Sequence, residues 1–139
     1  MPFLEVTLPK TSPETKRALI TRLTDAAESA GFEREIFRVC VREYEPGDAG
    51  RAGVPWDGGE DAPPLHLVLY TPRLPVGMKK AAIEKLSRAF AEALARPEWL
   101  PIVHILEYSY DNLGIGGKIS WEQHPELKGR RFYNDLPGD

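Results

Sequence analysis

The chain opens with Met1-Pro2-Phe3-Leu4-Glu5-Val6-Thr7-Leu8-Pro9-Lys10. Apolar residues alternate with polar ones from Leu4 to Leu8, which is the period of two that indicates a half-buried strand. Initiator methionine is usually removed before a residue as small as proline, so we expect the mature chain to begin at Pro2. The secondary amine of an N-terminal proline can serve as base, acid or nucleophile, and burial would lower its pKa toward neutrality. The alternative is that Pro2 only protects the N-terminus.

The pattern that begins with this strand occurs twice. The predicted strand, helix and strand of the first unit lie at 2–8, about 13–30 and 36–44, and those of the second at 64–70, about 75–95 and 102–110. A glycine-, proline- and acid-rich linker, 45–63, joins the units, and 121–139 is a predicted tail. We therefore predict one α+β domain over 2–120, in which tandem β-α-β units (2–44 and 64–110) form a four-stranded sheet with two helices on one face. Parallel strands joined by a helix take the right-handed crossover.

Both helices are predicted from apolar residues at steps of three and four. The first has Ser12 as N-cap, Pro13 at its first turn and Gly31 just after its end. We expect its apolar stripe to contain Leu19, Ile20, Leu23, Ala26, Ala27 and Ala30. In the second helix we expect Ile83, Leu86, Phe90 and Leu94 to face the core, and Lys79 with its charged neighbours to face solvent.

The duplicated β-α-β unit, the proline at its head and the run Leu113-Gly114-Ile115-Gly116-Gly117-Lys118 together resemble the tautomerase superfamily. The resemblance is to a fused, double-length member of the 4-oxalocrotonate tautomerase-like group, near malonate semialdehyde decarboxylase and cis-3-chloroacrylic acid dehalogenase. It implies a cofactor-free enzyme that acts through Pro2 on a small carboxylate. It also implies a homotrimer whose sheet faces point inward, with a glycine hairpin at 114–117 that extends a neighbour's sheet.

Two arginines stand where the resemblance implies substrate-binding cations. Arg38 aligns with an arginine that contacts the substrate carboxylate in the short tautomerases. Thr71-Pro72-Arg73 resembles an Arg-Pro-Arg segment of the malonate semialdehyde decarboxylases, of which this chain keeps only the second arginine. A cation is suited to holding a carboxylate and stabilising an enolate. The alternative for each is a solvated charge at a strand end. Tyr108 or Tyr110 could donate to a substrate oxygen, although packing is an equally ordinary duty.

The implied reaction is keto-enol tautomerisation of a small 2-oxo acid or unsaturated carboxylate. Departures from the family keep other reactions open: Thr11-Ser12 replaces an arginine, Leu113 a phenylalanine and Ala26-Ala27 a histidine, while Glu33 and Glu35 are displaced from an expected aspartate. The alternatives are a decarboxylase or a hydratase or dehalogenase of a three-carbon acid, a non-catalytic member with an inert Pro2, and an unrelated fold.

Composition excludes several other classes. The 139 residues include 21 acidic and 18 basic ones, a net charge of -3 with both signs interspersed, so no nucleic-acid partner is expected. Cys40 is the only cysteine, which excludes an intrachain disulfide and a thiolate zinc cluster. His66 and His104 are read as core histidines, and no spacing suggests a metal site. No signal peptide or long apolar run is evident, so we expect a cytoplasmic protein without a membrane segment.

Overall fold

The computed structural model describes residues 1–125. Its strands are β1 (Phe3–Pro9), β2 (Arg38–Tyr44), β3 (Gly50–Arg51), β4 (Val54–Pro55), β5 (His66–Pro72), β6 (Ile102–Tyr108), β7 (Gly114–Ile115) and β8 (Lys118–Ile119). Its helices are α1 (Pro13–Ser29), α2 (Val76–Ala93) and the short α3 (Ser120–Gln123). Two 3-10 helices lie at Arg34–Ile36 and Tyr110–Asn112.

The four long strands form one sheet in the order β2-β1-β5-β6. Strand β1 is parallel to β2, β5 is parallel to β6, and the two central strands are antiparallel, with Phe3 opposite Tyr70 and Leu4 opposite Leu69. The two β-α-β units are therefore joined through their first strands and run in opposite directions. The predicted α+β architecture with a single four-stranded sheet is confirmed.

The core lies between one face of the sheet and the two helices. Every second residue of β1 and β5 is buried there, and the helices contribute an apolar stripe each. The large apolar side chains that are fully buried are Leu4, Val6, Leu8, Leu67 and Leu69 from the sheet and Leu19, Leu23, Leu86 and Phe90 from the helices. The opposite face of the central strands is only half-buried within one chain.

The start and the end of α1 follow the sequence signals. The Ser12 hydroxyl accepts a hydrogen bond from the Thr15 backbone N–H at 3.1 Å, and Pro13 occupies the first helical position. After the helix, Gly31 adopts a φ of +107°, a backbone conformation that residues with a Cβ rarely adopt. The predicted capping residues thus do what their chemistry suggests.

Several local predictions were wrong. The start of the second strand, predicted at 36, is the 3-10 turn Arg34–Ile36, and the fourth strand ends at Tyr108 instead of 110. Ile20 and Ile83 are 44% and 40% exposed because they lie at the edge of their helices' apolar stripes.

His66 and His104 also differ from prediction. They lie on the sheet face that the helices leave open, with ring centroids 6.1 Å apart, and are not core residues.

The segments outside the two units contain more regular structure than the sequence suggested. The linker folds into the small hairpin of β3 and β4, and Trp56 donates to the Asp61 carbonyl at 2.9 Å. The glycine run forms the predicted hairpin, β7 with β8. The first residues of the predicted tail belong to α3, and 126–139 lie outside the described residues.

The two units repeat the same contacts at opposite ends of the sheet. Tyr108 donates through its hydroxyl to the Met1 carbonyl, and Tyr44 donates likewise to the Pro64 carbonyl. Next to these contacts, the Arg38 N–H donates to the Pro2 carbonyl and the Ile102 N–H donates to the Leu65 carbonyl. Because their carbonyls accept equivalent hydrogen bonds, Pro2 of the first unit corresponds to Leu65 of the second. The two ends of the sheet therefore have the same backbone arrangement but different side chains.

Neighbouring residues of α1 offer a test of the core. Leu19→Ala should lower the free energy of unfolding by about 2–5 kcal/mol, because it opens a cavity at a fully buried position. Ile20→Ala, at the adjacent exposed position, should cost about 1 kcal/mol or less. Urea unfolding followed by circular dichroism, at one protein concentration, measures both. Equal losses would contradict the placement of the helix.

Candidate active site

The N-terminus lies at one end of the sheet, between two other strands. Strand β1 begins at Phe3, which is opposite Arg38 at the beginning of parallel β2. Pro2 is buried there, and its carbonyl accepts a hydrogen bond from the Arg38 backbone N–H at 3.3 Å. The parallel register of β1 and β2 therefore holds Pro2 beside the backbone of Arg38.

Tyr108, at the end of β6, closes the other side. Its hydroxyl accepts from the Met1 amine at 2.9 Å and donates to the Met1 carbonyl at 2.7 Å. Burial, with a smaller contribution from nearby Tyr110, raises the pKa of Tyr108 to about 12. The hydroxyl is therefore protonated at neutral pH and able to donate a hydrogen bond.

The environment of the N-terminus disfavours a charged amine. Burial, and next the positive charge of Arg38, lower the pKa of the Met1 amine below its ordinary value. The Arg38 guanidinium also contacts the Met1 sulfur. Pro2 is more buried than Met1, so removal of Met1 would leave the chain terminus at a more buried position at this end of the sheet.

Arg73 reaches this end of the sheet from β5. The antiparallel register that pairs Tyr70 with Phe3 brings the last residues of β5 to the level of the N-terminus, and Pro72 is opposite Tyr108. Arg73 follows Pro72 directly and is half-buried. The next residue is fixed to β6, because the Leu74 N–H donates to Glu107 at 2.7 Å.

Glu107 and Lys79 form an ion pair that the sequence did not reveal. The Lys79 ammonium lies 2.7 Å from the Glu107 carboxylate, and both side chains are largely buried. Lys79 was expected to face solvent, because it lies on the polar side of α2; the end of β6 covers it instead. The sequence signal for this pair is a glutamate followed by a tyrosine at the end of each unit, Glu43-Tyr44 and Glu107-Tyr108. Its meaning becomes clear only when the two units are superposed.

The three residues predicted for the site, Pro2, Arg38 and Arg73, come from three adjacent strands and lie at one end of the sheet. Tyr108, left open by the sequence, touches the N-terminal residue, whereas Tyr110 lies in the following 3-10 helix. Within residues 1–125, no group of three or more histidine, cysteine or acidic side chains could hold a metal ion. In the same part of the chain, no helix is long and apolar enough to cross a membrane.

This arrangement combines three chemical functions. The partly buried amine has a lowered pKa, the guanidinium next to it attracts anions, and a neutral hydroxyl donates a hydrogen bond. The fold and the site together define a protein of two fused β-α-β units whose N-terminus lies at the end of the sheet, in contact with Arg38 and Tyr108.

The comparisons with known proteins agree with this class. Residues 2–57 match the family described as Tautomerase enzyme. Native fused 4-OT is 28% identical with a TM-score of 0.78, over 88% of this chain and 98% of that one. Pt0534 inactivated by 2-oxo-3-pentynoate is 26% identical with a TM-score of 0.73, over 93% of this chain and 98% of that one. The F6 fused 4-OT asymmetric trimer is 27% identical with a TM-score of 0.75, over 87% of this chain and 98% of that one.

The family match over the first unit and the likeness of the whole fold to fused 4-OT agree with the predicted resemblance to a fused, double-length member of the tautomerase superfamily. A malonate semialdehyde decarboxylase has a TM-score of 0.71 over 89% of this chain and 98% of its own, but is 15% identical, so that likeness shows the fold alone. A search of curated proteins found no significant match.

The charge of Arg38 offers a test of the amine's environment. Arg38→Gln should raise the pKa of the N-terminal amine, because it removes a nearby like charge. Arg42→Gln is the control, since Arg42 is four residues further along β2 and pairs with Glu5. NMR titration of the amine measures both variants. An unchanged amine pKa in Arg38→Gln would contradict the electrostatic role of Arg38.

Proposed function

We propose that the protein is a cofactor-free enzyme that tautomerises a small 2-oxo acid, with Pro2 as its general base and acid once Met1 has been removed. The observation that supports this most is the buried N-terminus between Arg38 and Tyr108, where burial and a like charge both favour a neutral amine. A neutral Pro2 nitrogen takes a proton from one atom of the substrate and returns it to another.

The other site residues supply the remaining parts of this reaction. Arg38 and Arg73 bind the substrate: Arg73 anchors its carboxylate, and Arg38, beside the amine, stabilises the enolate that forms between the two proton transfers. Tyr108 donates a hydrogen bond from its hydroxyl to a substrate oxygen, which it can do because its raised pKa keeps the hydroxyl protonated. No step requires a cofactor.

The substrate class rests on similarity as well as on chemistry. Relatives at 26–28% identity include fused 4-OT and a protein inactivated by 2-oxo-3-pentynoate, which is itself a 2-oxo acid. The decarboxylase is more distant in sequence, and the acids nearest to its expected aspartate, Glu33 and Glu35, are displaced. Tautomerisation is therefore favoured over decarboxylation, hydration or dehalogenation.

We further propose a homotrimer in which the open sheet faces point inward. Ile102 and Leu106 are 57% and 50% exposed on β6, next to half-buried residues of the central strands. An uncovered apolar sheet face is a surface that association would bury. Fused 4-OT relatives are trimers, both symmetric and asymmetric.

Replacement of Pro2 tests the proposed base. Pro2→Ala leaves a primary amine of different basicity and shape, so kcat/KM for the enol form of a 2-oxo acid such as phenylenolpyruvate should fall roughly 10²-fold or more. Intact mass must first establish that Met1 is absent from both proteins. If the parent retains Met1, or if Pro2→Ala lacking Met1 keeps full activity on every 2-oxo acid tested, the proposed mechanism fails.

The assembly has a separate test. Leu106→Glu places a charge on the open sheet face and should convert the trimer to smaller species, because an unpaired charge is costly to bury. Ile20→Glu, at an exposed position on the helical side, should leave the trimer intact. Multi-angle light scattering at micromolar concentration measures the mass of each. A monomeric parent protein would refute the proposal.

A further inference from the structure

A carboxylate from β6 holds the loop that carries Arg73. One oxygen of Glu107 accepts from the Leu74 backbone N–H at 2.7 Å, and the other accepts from the Lys79 ammonium in the first turns of α2, also at 2.7 Å. The Glu107 side chain is only 17% exposed. Arg73 directly precedes the clamped Leu74, which is itself buried. We call this arrangement the Glu107 clamp.

The first unit contains an equivalent clamp at the far end of the sheet. One Glu43 oxygen accepts from the Thr11 backbone N–H at 2.7 Å, and the other accepts from Lys16 at 2.9 Å. Each clamp ties the strand-to-helix loop of its unit to the end of the unit's second strand. The residue before the clamped N–H is Lys10 in one case and Arg73 in the other.

The clamps therefore share a structural duty, but their surroundings differ. The N-terminus and Tyr108 lie beside the Glu107 clamp, whereas the Glu43 clamp lies beside Tyr44 and the internal peptide at Pro64. If the glutamate hydrogen bonds only stabilise the fold, loss of either clamp should affect stability alone. If the Glu107 clamp also positions a substrate-binding arginine, its loss should lower activity as well, whereas loss of the Glu43 clamp should not.

We propose that Glu107 is a positioning residue that fixes Arg73 for binding of the substrate carboxylate. The inference rests on the proposed function, because it takes Arg73 as the carboxylate's anchor. Hydrogen bonds to an ionised carboxylate are stronger than neutral ones, so the clamp restrains the loop at the residue next to Arg73. Displacement of a binding group by about 1 Å can cost as much as 10²-fold in rate.

The test compares Glu107→Gln with its matched control, Glu43→Gln. The Leu74 N–H and Lys79 each use a different oxygen of Glu107, and glutamine replaces one of these oxygens with an NH2 donor, so one of the two donors loses its acceptor. Glu107→Gln should lower kcat/KM for phenylenolpyruvate roughly 10-fold or more, through KM, with kcat within about threefold. Glu43→Gln should lower the melting temperature similarly and leave kcat/KM unchanged. Equal kinetic effects of the two variants would overturn the proposal.

A double variant tests whether Glu107 acts through Arg73. In an Arg73→Ala background, Glu107→Gln should have no further effect on KM, because the group it positions is gone. An additive loss would show that Glu107 acts elsewhere, and would overturn the assignment. If Glu107→Gln does not fold, Lys79→Gln against Lys16→Gln repeats the comparison: only Lys79→Gln should raise KM. Equal KM values would again overturn it.

The parent and single variants separate this proposal from the proposed function. If Arg73→Ala leaves KM unchanged, Arg73 is not the carboxylate anchor and that part of the proposed function fails. If Arg73→Ala raises KM but Glu107→Gln does not, the anchor stands and the positioning role of Glu107 fails.

Discussion

The antiparallel pairing of β1 with β5 is the constraint on which the site depends. It sets the beginning of the chain against the end of the second unit, so that residues more than 100 positions apart in sequence, such as Met1 and Tyr108, come into contact. The parallel partners β2 and β6 then add Arg38 on one side and the end of β6 on the other. A slip of one residue would turn the buried face outward and move these groups apart.

The two ends of the sheet show how one duplicated scaffold carries different chemistry. Both have a tyrosine hydroxyl on a backbone carbonyl and a glutamate that clamps the strand-to-helix loop. Where one end has Pro2 and Arg38, the other has Leu65 and Ile102. An internal peptide nitrogen cannot act as an amine base, so the proposed chemistry is possible at only one of these two ends.

At the N-terminal end of the sheet, burial disfavours charge on two groups. It lowers the pKa of the Met1 amine and raises that of Tyr108, and the cationic Arg38 acts on the amine in the same direction as burial. Arg38, a cation beside the amine, would attract an anionic group to this end of the sheet.

The sequence by itself determined the two β-α-β units, their apolar faces, the capping of α1 and the resemblance to the tautomerase superfamily, because these follow from periodicity, local capping chemistry and motif. It also pointed to Pro2, Arg38 and Arg73, whose roles stay predictions. Only the tertiary structure decided that Tyr108 meets Met1, that Lys79 is paired with Glu107, and that His66 lies on the open face. Those contacts depend on strand order and register, which join residues far apart in the chain and leave no local signal.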